Sequence, residues 1–435
     1  MLRDQFALFS TSLAGDVETP RLRLLVLDAL GAGLAGHPHP APTALRGLSS
    51  ASSAEAQVIG ARRRDAIAAS SANAAAIHAL DFDDTHRASL VHVSSVLVPV
   101  CLALAEREDL SFERFLRAYA LGLRFTAFSQ RIGPLLNGAG YHTTAVLGSV
   151  IAAAAGGWML GEDPRQAATA AELAATSAMG LTASFGTDTK PIQVGLSAGN
   201  ATTAALLSAS NITAPQGFTD SNGLVGRLLG ADALQLLRWG DRCDDAVDGV
   251  VPKPYPCCYL IHGAVRSALE LREEAGGSGQ IEAVHVTIGP LAAELALKPA
   301  VAGDAQVAKF STAYCVAHTL ATGHLGVSDF DDPLNRADLE TRRLADRLTT
   351  SVDRSLGPVA ARVRVRLSSG AERESSFDPA TAGAMASGDL VEKFRSNAAR
   401  AITADRAARL EHDLLTRDPG VPVRSLTGPL GLAGD

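Results

Sequence analysis

Residues 74–106 read AAAIHALDFDDTHRASLVHVSSVLVPVCLALAE, and no other stretch restricts the fold as much. Asp81, Asp83, Asp84, Thr85, His86 and His92 are crowded between two apolar segments that a globular chain must bury. Carboxylates beside a core lose hydration worth several kcal/mol unless hydrogen bonds or cations replace it. A chain that keeps them there is expected to use them. The pattern predicts a buried helix that delivers Asp81, a short turn, and a second buried helix starting just after His92, with Ser94 and Ser95 placed to cap it. Amides at that helix start favour an anion. The alternative is a solvated turn, since Asp, Thr and Ser are ordinary capping residues. Motifs further along the chain weigh against it.

Apolar residues recur at helical spacing over residues 19–36, 66–80, 96–106 and 112–127, and again over 143–160, 164–179 and 198–210, with Gly161, Gly180 and Gly217 as stops. Alanine is frequent enough in these runs to let helices approach closely, which suits a compact bundle. The pattern changes near Gly249. Residues 281–288 (IEAVHVTI) and 361–367 (ARVRVRL) alternate as half-buried strands do, and 372–377 is placed to return as the second strand of a hairpin. Helical patterns over 307–320 and 336–347 lie between these strands. Residues 390–414 are again helical and are expected to pack back on the first bundle, and the tail after Arg417 is expected to be loose. The predicted fold is mainly α. It has a large all-helical domain (residues 1–250), an inserted smaller α/β lid domain (251–385) and a C-terminal segment (386–435) that returns to the helical domain.

At 435 residues the chain exceeds the usual size of one core, in keeping with that division. A formal charge of −7, with no basic block interleaved with aromatics, argues against nucleic acid. The start of the chain lacks the apolar core of a secretory signal, and the apolar run 145–160 is short for a membrane span. Five cysteines with no CxxC spacing fit a reducing compartment, so a cytoplasmic protein without a membrane partner is expected.

Three more stretches carry chemically useful residues. His142 follows Gly140 and Tyr141 just before the Ala-rich run, where an imidazole can face a cavity. In SFGTDTKPIQVGLSAGN (184–200), Lys190 lies in a loop before another buried helix, a position suited to a substrate carboxylate. KPYPCCY (253–259), followed by His262, stiffens a loop with two prolines at the domain junction, where small-molecule clefts are common. A surface histidine, a solvated lysine and a rigid hinge are the plainer readings of each stretch taken alone.

HALDFDDTH followed by His92 and Ser94, then GYHTT, TKPIQVG and KPYPCC, in this order, resemble the MmgE/PrpD family of 2-methylcitrate dehydratase, cis-aconitate decarboxylase and iminodisuccinate epimerase. The likeness extends to FSTAYCVAHTL from Phe310 and LVEKFRSNA from Leu390. The resemblance implies a helical domain with an α/β lid, a homodimer, and a site between the domains that uses neither metal nor organic cofactor. It places Asp81, Thr85, His92, His142 and Lys190 on the helical side of that site, with Lys253, Tyr255 and Cys258 facing them. Gln193 stands where members of the family often have histidine, and Cys258 where decarboxylase-like members do.

The expected substrate is a di- or tricarboxylic acid. His92 or His142 would serve as general base, oriented by Asp81. Lys190 and Lys253 would clamp carboxylates, Thr85 would donate a hydrogen bond, and Gln193 and Cys258 would contact substrate. The second histidine or Tyr255 would protonate a departing hydroxyl. Dehydration of the 2-methylcitrate type is the leading expectation. Decarboxylation, epimerisation and a carboxylate-binding protein without catalysis are the alternatives.

Overall fold

The computed structural model describes residues 2–12, 20–48, 54–210, 212–215, 217–237, 247–299, 304–331, 339–383 and 385–431. As the periodicity predicts, the molecule is mainly α. Pro20–Gly36, Ala66–His78, Val93–Arg107, Phe112–Phe128, Thr143–Gly161 and Thr189–Ser208 form the central helices of a bundle. Asp65 caps Ala66–His78 by accepting the Ala68 N–H at 2.9 Å, and Ser111 caps Phe112–Phe128 through the Arg114 N–H.

Small residues set how closely these helices pack. At Gly156 an added Cβ would lie 2.7 Å from Leu104 and 3.0 Å from Ala205, so glycine is what lets Thr143–Gly161 touch two neighbours at once. Thr143–Gly161 is long and apolar enough to cross a membrane, yet 89% of its most apolar window is buried inside the protein.

Buried apolar residues fall into two main clusters. One joins the helices from Leu2 to Leu237 with Leu390, Phe394, Leu410, Leu426 and Leu430, and the other runs from Cys257 to Val365. The second cluster lies under a four-stranded sheet ordered Leu348–Val352, Ile281–Ile288, Ala361–Leu367, Glu372–Phe377. Its first pair is parallel and the others antiparallel. The hairpin forms as predicted. Leu348–Val352, a half-polar strand with no alternation of burial, escaped sequence reading.

Several boundaries differ from expectation for local reasons. The second buried helix starts at Val93, just after His92 as expected, but its N-terminus is held by Asp84, whose carboxylate accepts from the Ser94 N–H at 3.1 Å and from the Ser94 hydroxyl. Ser94 therefore donates to a cap instead of being one, and the Ser95 hydroxyl turns back to the His92 carbonyl. The helix predicted over 198–210 begins at Thr189, which puts Lys190 in a first helical turn and not in a loop. The one predicted over 164–179 ends at Ala175.

The 307–320 pattern is split into Ala305–Ala308 and Thr312–Thr322, because Ser311 caps a new start through the Tyr314 N–H. The 390–414 pattern is likewise split into Ser387–Ala398 and Ala404–Thr416. Residue 19 and residues 336–338 of two predicted helices lie outside the described residues. The tail is not loose up to residue 431: Val423, Leu426 and Leu430 are buried, and Thr427 and Arg424 both bond to Glu106.

Two contacts hold the DFDDTH turn in place. Thr85–His86 pairs antiparallel with Val250–Val251, which carries the chain into the KPYPCC loop. From the C-terminal side Lys393 donates to the Phe82 carbonyl at 2.8 Å, covers the Phe82 ring and pairs with Asp28 at 2.7 Å.

Candidate active site

Ala66–His78 ends in a turn through Ala79 and Leu80, and Asp81 then adopts a left-handed φ of 53°, a conformation Asp tolerates better than most residues. Its carboxylate meets two ammonium groups. Asp81 Oδ1 lies 2.8 Å from Lys190 Nζ and 3.1 Å from Lys253 Nζ. Burial would raise the Asp81 pKa, but the lysines outweigh it and hold the carboxyl well below the usual carboxylate range.

Asp83 anchors both nearby imidazoles. Its Oδ2 is 2.7 Å from His78 Nδ1, and its Oδ1 is 3.4 Å from His92 Nδ1. Burial again opposes ionisation, and the two histidines overcome it, so Asp83 also stays charged. With Nδ1–H donated to Asp83, the His78 Nε2 lone pair accepts from Lys190 Nζ at 2.8 Å. Lys190 thus spends one N–H on Asp81 and one on His78, which leaves a third for a ligand.

His142 has no carboxylate partner of this kind. Its Nδ1 is 3.0 Å from Gln193 Oε1, and its Nε2 has no hydrogen-bond partner among the described residues although the side chain is buried. With the amide oxygen facing it, Nδ1 carries the hydrogen and Nε2 keeps a bare lone pair. Burial, then Lys190, holds His142 well below the ordinary imidazole range. Burial, then Lys253, lowers His92 to about 4. Both rings are neutral near pH 7.

These groups open on a cavity lined by Asp81, Thr85, His92, His142, Lys190 and Cys258, with Asn137, Thr143, Thr144 and Tyr259 adding polar edges. Leu90, Leu260, Leu291, Leu295, Phe185 and Phe310 make an apolar wall. Three long helices start at its edge. His92 precedes Val93–Arg107, His142 precedes Thr143–Gly161, and Lys190 is in the first turn of Thr189–Ser208; none of the three N-cap residues caps with its side chain, and Asp84 meets the Ser94 amide of the first helix. Their positive ends converge where an anion would sit.

The remaining predicted residues lie elsewhere. Lys253 is fully buried and donates to the carbonyls of Asp81 and Cys257, so it fixes Asp81 instead of lining the cavity. Gln193 stands behind His142. Tyr255 lines a neighbouring cavity with Arg87, His262 and Arg266, and Tyr259 takes the edge of the central one. The carboxylate that orients His92 is Asp83, since Asp81 Oδ1 is 4.0 Å from His92 Nε2. Cys258 lines the cavity as a thiol, because burial pushes its pKa up to about 12.

Sequence reasoning passed over His78, Asp83 in its orienting role, and the rings of Phe185 and Phe310, each about 5.5 Å from Lys190 Nζ. His78 had a signal, being a histidine at the end of an otherwise apolar helix. His78, Asp81, Asp83 and His92 also have ligand atoms close enough to share a metal ion. They do not fit one well, because two ammonium groups already occupy the space around Asp81 Oδ1 and both nitrogens of His78 are engaged.

A family model described as the MmgE/PrpD N-terminal domain matches residues 11–235, and one described as the MmgE/PrpD C-terminal domain matches residues 255–416. A cis-aconitate decarboxylase-like protein of Aspergillus oryzae is 25% identical over 93% of this chain and 91% of its own length. A cis-aconitate decarboxylase of Aspergillus terreus is 26% identical over 81% of this chain and 78% of its own length.

Proposed function

Because the chain belongs to the MmgE/PrpD family, we propose that it is a lyase that forms a carbanion next to a carboxylate of a small di- or tricarboxylic acid, with dehydration of a 2-methylcitrate-type hydroxy acid as its reaction. The bare, buried Nε2 of His142 beside a cavity at the start of three helices carries this reading. Elimination must take a proton from carbon, and a neutral imidazole whose other nitrogen faces an amide oxygen accepts a proton and has none to give there.

One substrate carboxylate sits on the third N–H of Lys190 and the helix amides, with Thr85 at its side. His142 Nε2 removes the proton from the adjacent carbon, and the electron pair becomes the new double bond as the β-hydroxyl departs. The proton held on Nε2 passes to that hydroxyl, so water leaves and the imidazole returns to neutral. Lys190 and the helix termini stabilise the charge that builds on the carboxylate between the two steps. Asp81 and Lys253 keep Lys190 in register.

Decarboxylation of a cis-aconitate-type acid is the second reading, favoured by the activity in the names of the two relatives. It needs a proton delivered to carbon, which would call on Lys190 instead of His142.

Proton NMR in deuterium oxide separates these readings, with 2-methylcitrate, citrate and cis-aconitate supplied one at a time. Loss of the methine signal of 2-methylcitrate, with its methyl doublet replaced by the singlet of a methyl on a double bond, or a new vinyl signal from citrate, is expected, and either should fall by roughly 10²- to 10⁴-fold in His142→Ala. Carbon dioxide release from cis-aconitate without reaction of either hydroxy acid would replace dehydration by the second reading. Inertness towards all three, with thermal stabilisation by citrate, would point to a binding protein.

A further inference from the structure

The FSTAYCVAHTL stretch supplies His318, which plays no part in the site above. It lies on the helix Thr312–Thr322 in the smaller unit, and the chain after that helix brings His324 and Asp329 to the same place. None of the three lines the central cavity.

His318 is 3% exposed, and its Nε2 has no hydrogen-bond partner among the described residues, although Asp329 Oδ1 is 3.4 Å away. His324 Nδ1 is 3.2 Å from Asp329 Oδ2, and the ligand atoms of all three residues lie within 4.8 Å of one another. Nitrogen and oxygen ligands held 2.0–2.2 Å from a tetrahedral zinc ion are about 3.3–3.6 Å apart, so the two imidazole–carboxylate spacings are already near those of a filled site.

The surroundings fix the ligands as an outer layer of a metal site does. His318 Nδ1 lies 3.4 Å from the Thr341 hydroxyl, which leaves Nε2 to face Asp329. The Asp329 carboxylate accepts the Gly326 N–H at 2.7 Å, its carbonyl accepts from the Tyr314 hydroxyl, and the Tyr314 ring stacks on His318. The His324 side chain is 65% exposed, so an ion has a path from solvent and a position left for water.

We propose that His318, His324 and Asp329 form a site for a divalent transition metal of the zinc type, separate from the central cavity, which ties the chain after Thr312–Thr322 to that helix. Two neutral imidazoles and one carboxylate leave the bound ion one net positive charge, and the donor set is one that zinc takes readily.

Isothermal titration of zinc chloride into the chelator-treated full-length protein tests this. One equivalent is expected to bind, with affinity reduced at least tenfold in His324→Ala and in Asp329→Asn. Binding should be unchanged in His92→Ala, which removes a ligand atom from the buried His78, Asp81, Asp83 and His92 group. His324 is exposed, so its replacement leaves the fold intact, and circular dichroism of that variant checks the point. Absence of binding to the wild-type protein overturns the proposal. So does binding that survives His324→Ala or that is lost in His92→Ala.

Discussion

Gln193 governs how His142 behaves, and a change of one atom group should show it. A carboxylate in place of the amide favours the imidazolium, so Gln193→Glu is expected to raise the His142 pKa. The acid limb of the pH profile of kcat/KM should then move to higher pH, from its wild-type position below the ordinary imidazole pKa of about 6.5. A limb that stays in place would remove Gln193 from control of the base. Lys190→Ala should chiefly raise KM, and by at least tenfold, because the ammonium holds the substrate carboxylate; an unchanged KM in steady-state kinetics would end that assignment. Six of the ten polar side chains that line the cavity could be named from sequence, since Asp81, Thr85, His92, His142, Lys190 and Cys258 stand in recognisable motifs. Their pairing could not. Nothing in the order of DFDDTH says that Asp83 and not Asp81 holds His92, because a left-handed turn at Asp81 decides which carboxylate faces which ring.

At the scale of elements, helix starts matter more here than helix interiors. The site depends on where Val93–Arg107, Thr143–Gly161 and Thr189–Ser208 begin, and the first of these starts is held by a carboxylate outside the helix. Asp84 holds the Ser94 amide and hydroxyl in a dry pocket beside Tyr119, and burial raises its pKa to about 7. Apolar spacing alone does not mark where a helix begins, which is why the periodic run from 96 and the predicted start at 198 fall inside the real helices, although the polar residues before the first of them predict a start just after His92. The C-terminal element makes the same point. Removal of residues 418–435 would expose the partners of Val423, Leu426 and Leu430, each worth about 1.5–3 kcal/mol of burial. It would also strip Glu106 of Thr427 and Arg424. The truncated chain should unfold at clearly lower urea concentration, whereas an unchanged midpoint would restore the view of the tail as loose.

The whole molecule carries an unusual load of buried titratable groups, and their signs can be summed. His37, His39, His78, His86, His92, His142 and His262 all have folded pKa values below the ordinary one, with burial first among the causes. His39, His86 and His92 are brought to about 4 and His262 to about 3. Each contributes stability that is present above pH 6.5 and lost as pH falls towards its folded value. Asp28, Asp84, Glu106 and Glu172 are raised, Asp84 and Glu172 to about 7, and act in the opposite sense, losing stability as pH rises to that value. Seven against four leaves the histidines dominant. Thermal midpoints should climb between pH 4.5 and 6.5 and stop climbing by pH 7; a flat or falling profile below 6.5 would contradict the balance. What the sequence determined alone was the mainly α class, the change to strands after Gly249, and the short list of polar residues that burial makes expensive. Those follow from local periodicity and from the cost of dehydrating charge, both of which act over a few residues. Only the tertiary structure decided that Lys253 supports Asp81 from outside the cavity, that Tyr259 and not Tyr255 reaches its edge, and that three helix starts meet there. Those relations join residues far apart in the chain, and they are set by how the Ala-rich helices pack and by the Thr85–His86 pairing with Val250–Val251.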